Sequence, residues 1–150
     1  MFTTPSLPRN PKILDVGAGT GFFTVKLNNR VRQTLRNVHF YAMDVTPAML
    51  ISLRKKSDEI TPFVGIAENI KSSIKEARKY FNIPLRFDAA FSTLMLHHSA
   101  EPRKVFKGIK EILKRKGKAV VIDLCKHNFK EFKTEFGDIH LGFNIEGINE

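Results

Sequence analysis

One stretch decides the fold: Lys12-Ile-Leu-Asp-Val-Gly-Ala-Gly-Thr-Gly-Phe-Phe-Thr-Val-Lys-Leu27. It begins with a short apolar run typical of a buried strand, passes through Gly17, Gly19 and Gly21, and continues as an apolar, helix-like segment. Glycines let a ligand approach the backbone closely, and the free N–H groups of a helix N-terminus favour an anionic or nucleotide-like group. The spacing is G-x-G-x-G, which differs from the loops that bind NAD and from those that bind ATP phosphates. The stretch therefore predicts a nucleotide-like ligand other than these two.

Length and composition indicate a single globular domain over residues 1–150, because 42% hydrophobic and 27% charged residues are ordinary for such a domain. No apolar run approaches the roughly 20 residues of a membrane span. The N-terminus has no signal-peptide pattern. A single cysteine, Cys125, excludes an internal disulfide and a multi-cysteine metal site. We expect a cytoplasmic protein with no metal ion and no membrane partner.

The net charge of +10 has two interpretations. A basic surface is typical of proteins that bind RNA or another anionic partner. The lysines and arginines are nevertheless spread over the polar sides of predicted helices, where a solvated charged surface is normal. Both interpretations stay open at the level of the sequence.

Strand and helix patterns alternate along the chain, which predicts a doubly wound parallel sheet with helices on both faces. Residues 1–11 form an extended lead-in, and residues 125–150 form a C-terminal helix and tail. Thr46 is expected to cap the second helix, with Met49, Leu50 and Leu53 facing inward. Lys116-Gly117 is expected to end the fourth helix as a glycine C-cap. The predicted strands cover about 12–17, 38–43, 61–65, 87–93 and 119–124; the helices cover about 20–30, a segment from 47, 70–81, 102–115 and a short segment that ends near 137.

Five segments, in order and at matching spacings over residues 12–124, resemble the class I S-adenosylmethionine-dependent methyltransferase family, in its small-molecule, type 11-like branch. The segments are Asp15 to Gly21, Asp44 at the end of the second strand, Gly65-Ile-Ala-Glu68, Phe87 to His98, and Phe106 to Asp123. The resemblance implies a Rossmann-like sheet of strand order 3-2-1-4-5. It also implies an enzyme that uses S-adenosylmethionine and releases S-adenosylhomocysteine.

The resemblance carries binding roles onto particular positions. The methionine end of the cofactor would lie against the glycine turn, with its ammonium group near Asp15 and near the backbone of Ser92, Thr93 and Leu94. Asp44 would accept both ribose hydroxyls. The turn residues are Gly17, Ala18, Gly19, Thr20 and Gly21, and the adenine would contact Val45, Met49, Ala67 and Glu68. Simpler roles stand beside these: a turn residue for Asp15, a helix-capping carboxylate for Asp44, a core position for Met49.

Methyl transfer from a sulfonium is a direct displacement, so the family needs no universal catalytic residue. His97 and His98 follow the fourth strand and are candidates for a general base near neutral pH. A packing role at a helix entry is the alternative for this pair. The end of the fourth strand lacks the Asn/Asp-Pro-Pro-aromatic pattern of enzymes that methylate amino groups on adenine or glutamine, which leaves the acceptor open.

Three functions remain: a small-molecule methyltransferase, an RNA methyltransferase, and a cofactor-binding partner subunit without activity. An NAD-linked oxidoreductase is disfavoured by the glycine spacing. Too few residues follow Leu124 for most or all of the antiparallel hairpin that usually covers the fifth strand. We therefore expect an open sheet edge, for which a second copy in a homodimer is a candidate cover.

Overall fold

The computed structural model describes residues 7–144, which build one five-stranded sheet of order β3-β2-β1-β4-β5. Every pair of neighbouring strands is parallel. Ile13 of the central strand pairs with Phe40 on one side and with Ala89 on the other. The predicted fold class and strand order are therefore confirmed. The strands are β1 (Lys12–Val16), β2 (His39–Asp44), β3 (Thr61–Val64), β4 (Phe87–Thr93) and β5 (Leu113–Ile122), and the helices are α1 (Phe22–Arg32), α2 (Pro47–Lys56), α3 (Ile70–Ala77), α4 (Pro102–Ile112) and α5 (Glu131–Glu135).

Two apolar cores cover the two faces of this sheet. On one face α3 and α4 pack through residues such as Ile74 and Ile109 against Leu14 and Met43. On the other face Val25 of α1 and Leu53 of α2 pack against the opposite side of the same strands. Because side chains alternate along a strand, β1 and β2 are buried on both faces, as a parallel sheet requires. No helix in residues 7–144 is long and apolar enough to cross a membrane.

Several predicted element ends are wrong. Helix α3 stops at Ala77 instead of continuing to 81. Helix α4 ends at Ile112, and the chain enters β5 directly at Leu113, which pairs with Phe87. The four residues 114–117 then bulge out opposite a single residue of β4, so Lys116-Gly117 is part of the strand irregularity and does not cap the helix. Lys116 takes the left-handed conformation there, at φ 65°.

The second helix also differs from expectation in detail. Leu50 and Leu53 are buried as predicted, but Met49 is 42% exposed. Thr46 is the N-cap residue, yet its side chain makes no capping hydrogen bond. Its backbone N–H instead donates to Asp44 Oδ1 at 2.9 Å. The helix entry is thus held by the preceding acidic residue.

The fifth strand has an open edge in the part of the chain that is described. β5 pairs with β4 alone, and no antiparallel hairpin follows it within residues 7–144. Val120 and Ile122 are more than half exposed on one face of this strand. The tail after α5 folds back to the residues that follow β5, where Cys125 and Phe143 form a single parallel bridge. The predicted lead-in and tail are described from residue 7 and up to residue 144; residues 1–6 and 145–150 lie outside the described part.

Candidate functional site

A cleft of about 160 Å³ lies at the carboxyl ends of β1, β2 and β3, beside the turn that follows β4. We call it the strand-end cleft. Ligands of open parallel sheets bind at this edge, where the winding reverses. Six predicted site residues line it, together with five that were not assigned a role there. The lining residues are Gly17, Met43, Asp44, Val45, Gly65, Ile66, Ala67, Glu68, Met95, His98 and Ser99.

The glycine turn needs glycine for two different reasons. Gly17 has φ 78°, and a Cβ built on it would lie 2.2 Å from Met95 Cγ, so the turn packs tightly against the segment after β4. Gly19 has φ 56°, and a Cβ there would meet nothing within 4 Å. The turn is anchored by Met43, whose carbonyl oxygen accepts the N–H groups of Gly17 and Ala18 at 2.8 and 3.0 Å. Open space over Gly19 is what close approach of a ligand to the backbone requires.

Asp44 joins this turn to the entry of α2. Its Oδ2 accepts the N–H of Gly19 at 2.8 Å, and its Oδ1 accepts the N–H of Thr46 at 2.9 Å. The contact with Thr46 matches the capping role considered from the sequence, but the contact with Gly19 adds a second function. Each carboxylate oxygen has a further lone pair, so Asp44 retains acceptor capacity toward the strand-end cleft.

Asp15 is buried beneath the glycine turn, with 2% of its surface exposed. The Thr24 hydroxyl donates a hydrogen bond of 2.6 Å to Asp15 Oδ2. Within residues 7–144 no cationic side chain lies within ion-pair distance of Asp15. Burial raises the pKa of Asp15 to about 7, the Thr24 hydrogen bond opposes this rise, and the charge of Asp44 adds to it. A buried carboxyl with a perturbed pKa and no cationic partner among the described residues is a candidate functional group.

Glu68 links the loop after β3 to the loop after β4. It lies in a 3₁₀ turn over Ala67–Asn69 and accepts the Ser99 hydroxyl at 2.6 Å. Partial burial raises the pKa of Glu68, but hydrogen bonds from Ser99 and from backbone groups outweigh burial, and the net pKa is lowered. The carboxylate of Glu68 is thus held by hydrogen bonds within the protein, and Glu68 lines the cleft together with Ile66 and Ala67.

The other predicted binding residues lie around the cleft without lining it. Ser92 is buried, and its Oγ has no hydrogen-bond partner among the described residues. Leu94 takes an unusual left-handed conformation at φ 52°. The Thr20 carbonyl accepts Lys56 Nζ at 2.9 Å. Neighbouring positions complete this group: Ala18, Gly21, Met49 and Thr93.

The two predicted catalytic histidines lie side by side, with ring centroids 4.2 Å apart, but they differ in exposure. His98 lines the strand-end cleft and is exposed. His97 is buried, and its Nδ1 lies 2.6 Å from Asp123 Oδ1. Asp123 also accepts the backbone N–H of Leu96 at 2.7 Å, so it organises the turn after β4. Of the two residues, His98 alone lines the strand-end cleft.

Sequence reasoning missed Thr24, Met95, Ser99 and Asp123 as site residues. Asp123 follows directly after β5, and a carboxylate at the carboxyl end of a parallel strand is a signal that points to this edge. Thr24 and Ser99 carry no comparable signal, because their roles depend on side-chain contacts across the fold.

A larger concavity, of about 950 Å³, lies along the edge strand β3. Among the described residues, no acidic side chain and no part of the glycine turn lines it, whereas Lys12, Arg54 and the exposed aromatic residues Tyr80 and Phe81 do. By size alone, this groove would be the better candidate for the ligand site. The chemistry expected of a nucleoside site favours the strand-end cleft, because a carboxylate and open backbone groups are found there.

Residues 8–144 match the family model described as "Methyltransferase domain". The chain is 25% identical over 117 residues to the ubiquinone/menaquinone biosynthesis C-methyltransferase of Rickettsia peacockii, covering 78% of this chain and 46% of that protein. It is 26% identical over 138 residues to the malonyl-[acyl-carrier protein] O-methyltransferase of a Paenibacillus species, covering 91% and 47%. The chain thus spans about half the length of these relatives.

Among solved structures, the chain resembles phosphoethanolamine N-methyltransferase 2 of Haemonchus contortus in complex with S-adenosyl-L-methionine. The TM-score is 0.68 at 22% identity, over 97% of this chain and 32% of that one. Together with the sheet order, this likeness shows a fold shared with class I methyltransferases.

The chain belongs to the methyltransferase domain family, whose match covers most of its length. The methyltransferase family predicted from the sequence is therefore confirmed.

Proposed function

We propose that this domain binds S-adenosylmethionine in the strand-end cleft and transfers its methyl group to a small-molecule acceptor. The observation that carries the proposal is the position of Asp44, whose carboxylate holds the glycine turn and the α2 entry together at the cleft. An acidic residue at the end of the second strand recognises ribose hydroxyls in related nucleotide-binding folds.

The residues around the cleft fit the cofactor. The open space over Gly19 admits the amino-acid end of the molecule close to the backbone. The ammonium group would supply the positive charge that Asp15 lacks. Asp44 would accept the ribose hydroxyls, and Val45, Ile66 and Ala67 would surround the adenine.

When bound, the cofactor supplies an electrophilic methyl group on a sulfonium, so the acceptor itself provides the attacking electron pair. The protein therefore has two tasks, which are to align the acceptor and to exclude water. Asp44 and Glu68 also line the cleft, but their carboxylates already accept hydrogen bonds within the protein, so His98 is our candidate for taking a proton from an acceptor. Asp123 holds His97 beside it, and that pair is a positioning element of the turn.

The nature of the acceptor follows from the relatives more than from the cleft. One relative is named for quinone biosynthesis and methylates carbon, and the other is named for a malonyl carrier protein and methylates oxygen. Both names support a small or carrier-bound acceptor, and they differ in the acceptor atom. We infer the small-molecule class and leave the atom to experiment.

Isothermal titration with S-adenosylmethionine and S-adenosylhomocysteine tests the cofactor site. Asp44→Asn should weaken the binding of both by about 10- to 100-fold, the effect of losing hydrogen bonds to a charged group. Asp58→Asn, at an exposed aspartate between α2 and β3, is the matched control and should bind as the wild type does. Thermal unfolding of both variants checks that the fold survives.

Two results would contradict the proposal. If the wild type binds neither S-adenosylmethionine nor S-adenosylhomocysteine, the cofactor assignment is wrong. Normal binding by Asp44→Asn removes the ribose placement. Release of S-adenosylhomocysteine in the presence of quinone precursors or malonyl carrier protein separates an enzyme from a silent partner subunit, which binds cofactor without turnover.

RNA is the second candidate acceptor, favoured by the groove along β3. Arg54 and Lys12 line this groove beside Tyr80, which is 77% exposed, and aromatic residues among cations are typical of single-stranded nucleic-acid sites. Fluorescence anisotropy with a labelled RNA over a salt series tests it. Arg54→Ala should lower the salt slope by about one unit. If no RNA binds at low salt, RNA is eliminated as an acceptor.

The cytoplasmic location of the protein stays a prediction.

A further inference from the structure

A cluster of two histidines and one aspartate lies where the C-terminal tail meets the turn after β4. His97 and His98 occupy a 3₁₀ turn, and Asp138 comes from the tail beyond α5. The tail is fastened to this turn because the N–H groups of Ile139 and His140 donate to the His97 carbonyl at 3.1 and 2.9 Å. The three side chains are thus brought together by backbone hydrogen bonds that do not involve them.

The spacing of the three side chains is that of ligands around one ion. Asp138 Oδ1 lies 3.6 Å from His97 Nε2 and 3.6 Å from His98 Nδ1. These separations exceed the length of a hydrogen bond. Ligand atoms bonded at about 2.0–2.1 Å to one tetrahedral ion lie roughly 3.3–3.4 Å apart. All three ligand atoms lie within 4.8 Å of one another, so small side-chain shifts close the site.

Asp138 provides a second and independent sign of a ligand. It is 5% exposed, and its Oδ2 has no hydrogen-bond partner among the described residues. A buried carboxylate oxygen without a partner is costly, and such oxygens are normally paired or coordinate a metal. The unpartnered oxygen belongs to the same carboxylate that approaches both imidazoles.

Asp123 supports His97 from the side of the imidazole ring opposite Asp138. Its contact with His97 Nδ1, at 2.6 Å, orients the imidazole so that Nε2 faces Asp138. A carboxylate behind a histidine ligand is the usual support of metal sites, since it determines which ring nitrogen is free. His98 Nδ1 has one weak contact, 3.4 Å from the Gly137 carbonyl, and that contact would be given up on ligation.

We propose that His97, His98 and Asp138 form a binding site for a divalent first-row transition metal of the Zn²⁺ type. Two imidazoles and one carboxylate suit zinc and its neighbours, whereas magnesium prefers oxygen ligands alone. Three protein ligands leave a fourth position open for water or an acceptor oxygen. The site departs from the expectation of no metal, which rested on the single cysteine.

This site stands independently of the proposed cofactor, but it changes the role of His98. Ligation through Nδ1 takes that nitrogen out of proton transfer, so the ligand role replaces the general-base role. The metal would tie the tail to the turn that borders the strand-end cleft. It would therefore raise the melting temperature without S-adenosylmethionine.

Zinc titration of the apo protein, by calorimetry and thermal unfolding, tests the proposal. The wild type should bind one Zn²⁺ and gain several degrees in melting temperature, while Mg²⁺ has no effect. Asp138→Asn and His98→Ala should each weaken zinc binding at least tenfold, and Asp123→Asn by 10- to 100-fold as a supporting residue. His127→Ala is the matched control, because its ring also has a buried nitrogen without a hydrogen-bond partner among residues 7–144 but lies outside the cluster.

All variants are made in a Cys125→Ser background, because the exposed thiol of Cys125 is an alternative zinc ligand. Cobalt in place of zinc should give the visible absorption of a tetrahedral site, lost in Asp138→Asn. Absence of one-to-one zinc binding overturns the proposal, as does zinc binding that survives in both Asp138→Asn and His98→Ala. Because these measurements use no cofactor, their failure leaves the proposed methyltransferase function intact.

Discussion

Replacing Asp15 with asparagine is expected to stabilise the free domain at neutral pH and, at the same time, to weaken its binding of S-adenosylmethionine. Asp15 is buried, and in the described residues it has no cationic partner. Its pKa rises from 3.8 to about 7 on folding, mainly because burial disfavours the charged carboxylate. The unfolded chain therefore releases this proton at lower pH than the folded one.

The sign and size of the effect follow from linkage. Below pH 3.8 the carboxyl is protonated in both states, so its stabilising contribution is complete there. As the pH rises to about 7 the contribution is lost at about 1.4 kcal/mol per pH unit, in total about 4 kcal/mol. Above pH 7 both states are ionised and the loss is constant.

Asparagine cannot ionise, so the variant escapes this loss. Its buried N–H₂ group costs about 1–3 kcal/mol if it finds no acceptor. That cost is independent of pH, so the slope of the difference between the two proteins isolates the carboxyl. Urea unfolding of wild type and Asp15→Asn at half-unit steps from pH 4.5 to 8.5 measures it. The difference should grow in favour of the variant up to pH 7 and then level off.

Binding should change in the opposite direction. In the proposed pose the cofactor ammonium pairs with ionised Asp15, so wild-type affinity for S-adenosylmethionine should rise by up to tenfold per pH unit toward pH 7. Asp15→Asn should bind more weakly at pH 8 and show no such rise. If the free energies of unfolding of the two proteins change in parallel with pH, the burial argument is refuted. A persisting pH dependence of binding in the variant would refute the pairing with the ammonium.

The remaining predictions concern the backbone and the sheet edge. Gly17→Ala should destabilise the fold by more than about 2 kcal/mol in urea unfolding, because its Cβ would overlap Met95 at 2.2 Å, and unchanged stability would contradict this packing. Gly19→Ala should cost only about 1 kcal/mol of strain but should weaken cofactor binding in calorimetry, since its methyl group would enter the open space above the turn; unaltered affinity would argue against that location. Lys116→Gly should stabilise the domain by about 1 kcal/mol in thermal unfolding, as it relieves a left-handed backbone at φ 65°, and a loss of stability would be the contrary result. If a second copy covers the edge of β5, the wild type should sediment as a dimer and Val120→Lys as a monomer; two identical monomers would exclude that interface.

Local patterns in the sequence were sufficient for the order of elements. An apolar run of strand length followed by glycines at alternate positions has few structural solutions, and this is why β1 and the turn at Gly17 and Gly19 were predicted at their observed positions. Element ends were less predictable. The end of α4 is decided at Leu113, where pairing with Phe87 begins, and this pairing depends on a strand 26 residues earlier in the chain.

The sequence by itself determined the alternation of strands and helices and, through motifs that are each short and local, the family and the sheet order that the family implies. Tertiary structure alone decided the surroundings of Asp15 within the stretch Lys12–Leu27. Asp15 is buried beneath the glycine turn, accepts a hydrogen bond from Thr24 and has no cationic partner among the described residues. It also decided that His97 meets Asp123 and Asp138 while His98 reaches the cleft. The physical reason is that side-chain contacts across the fold depend on strand register and loop packing, which no short pattern encodes.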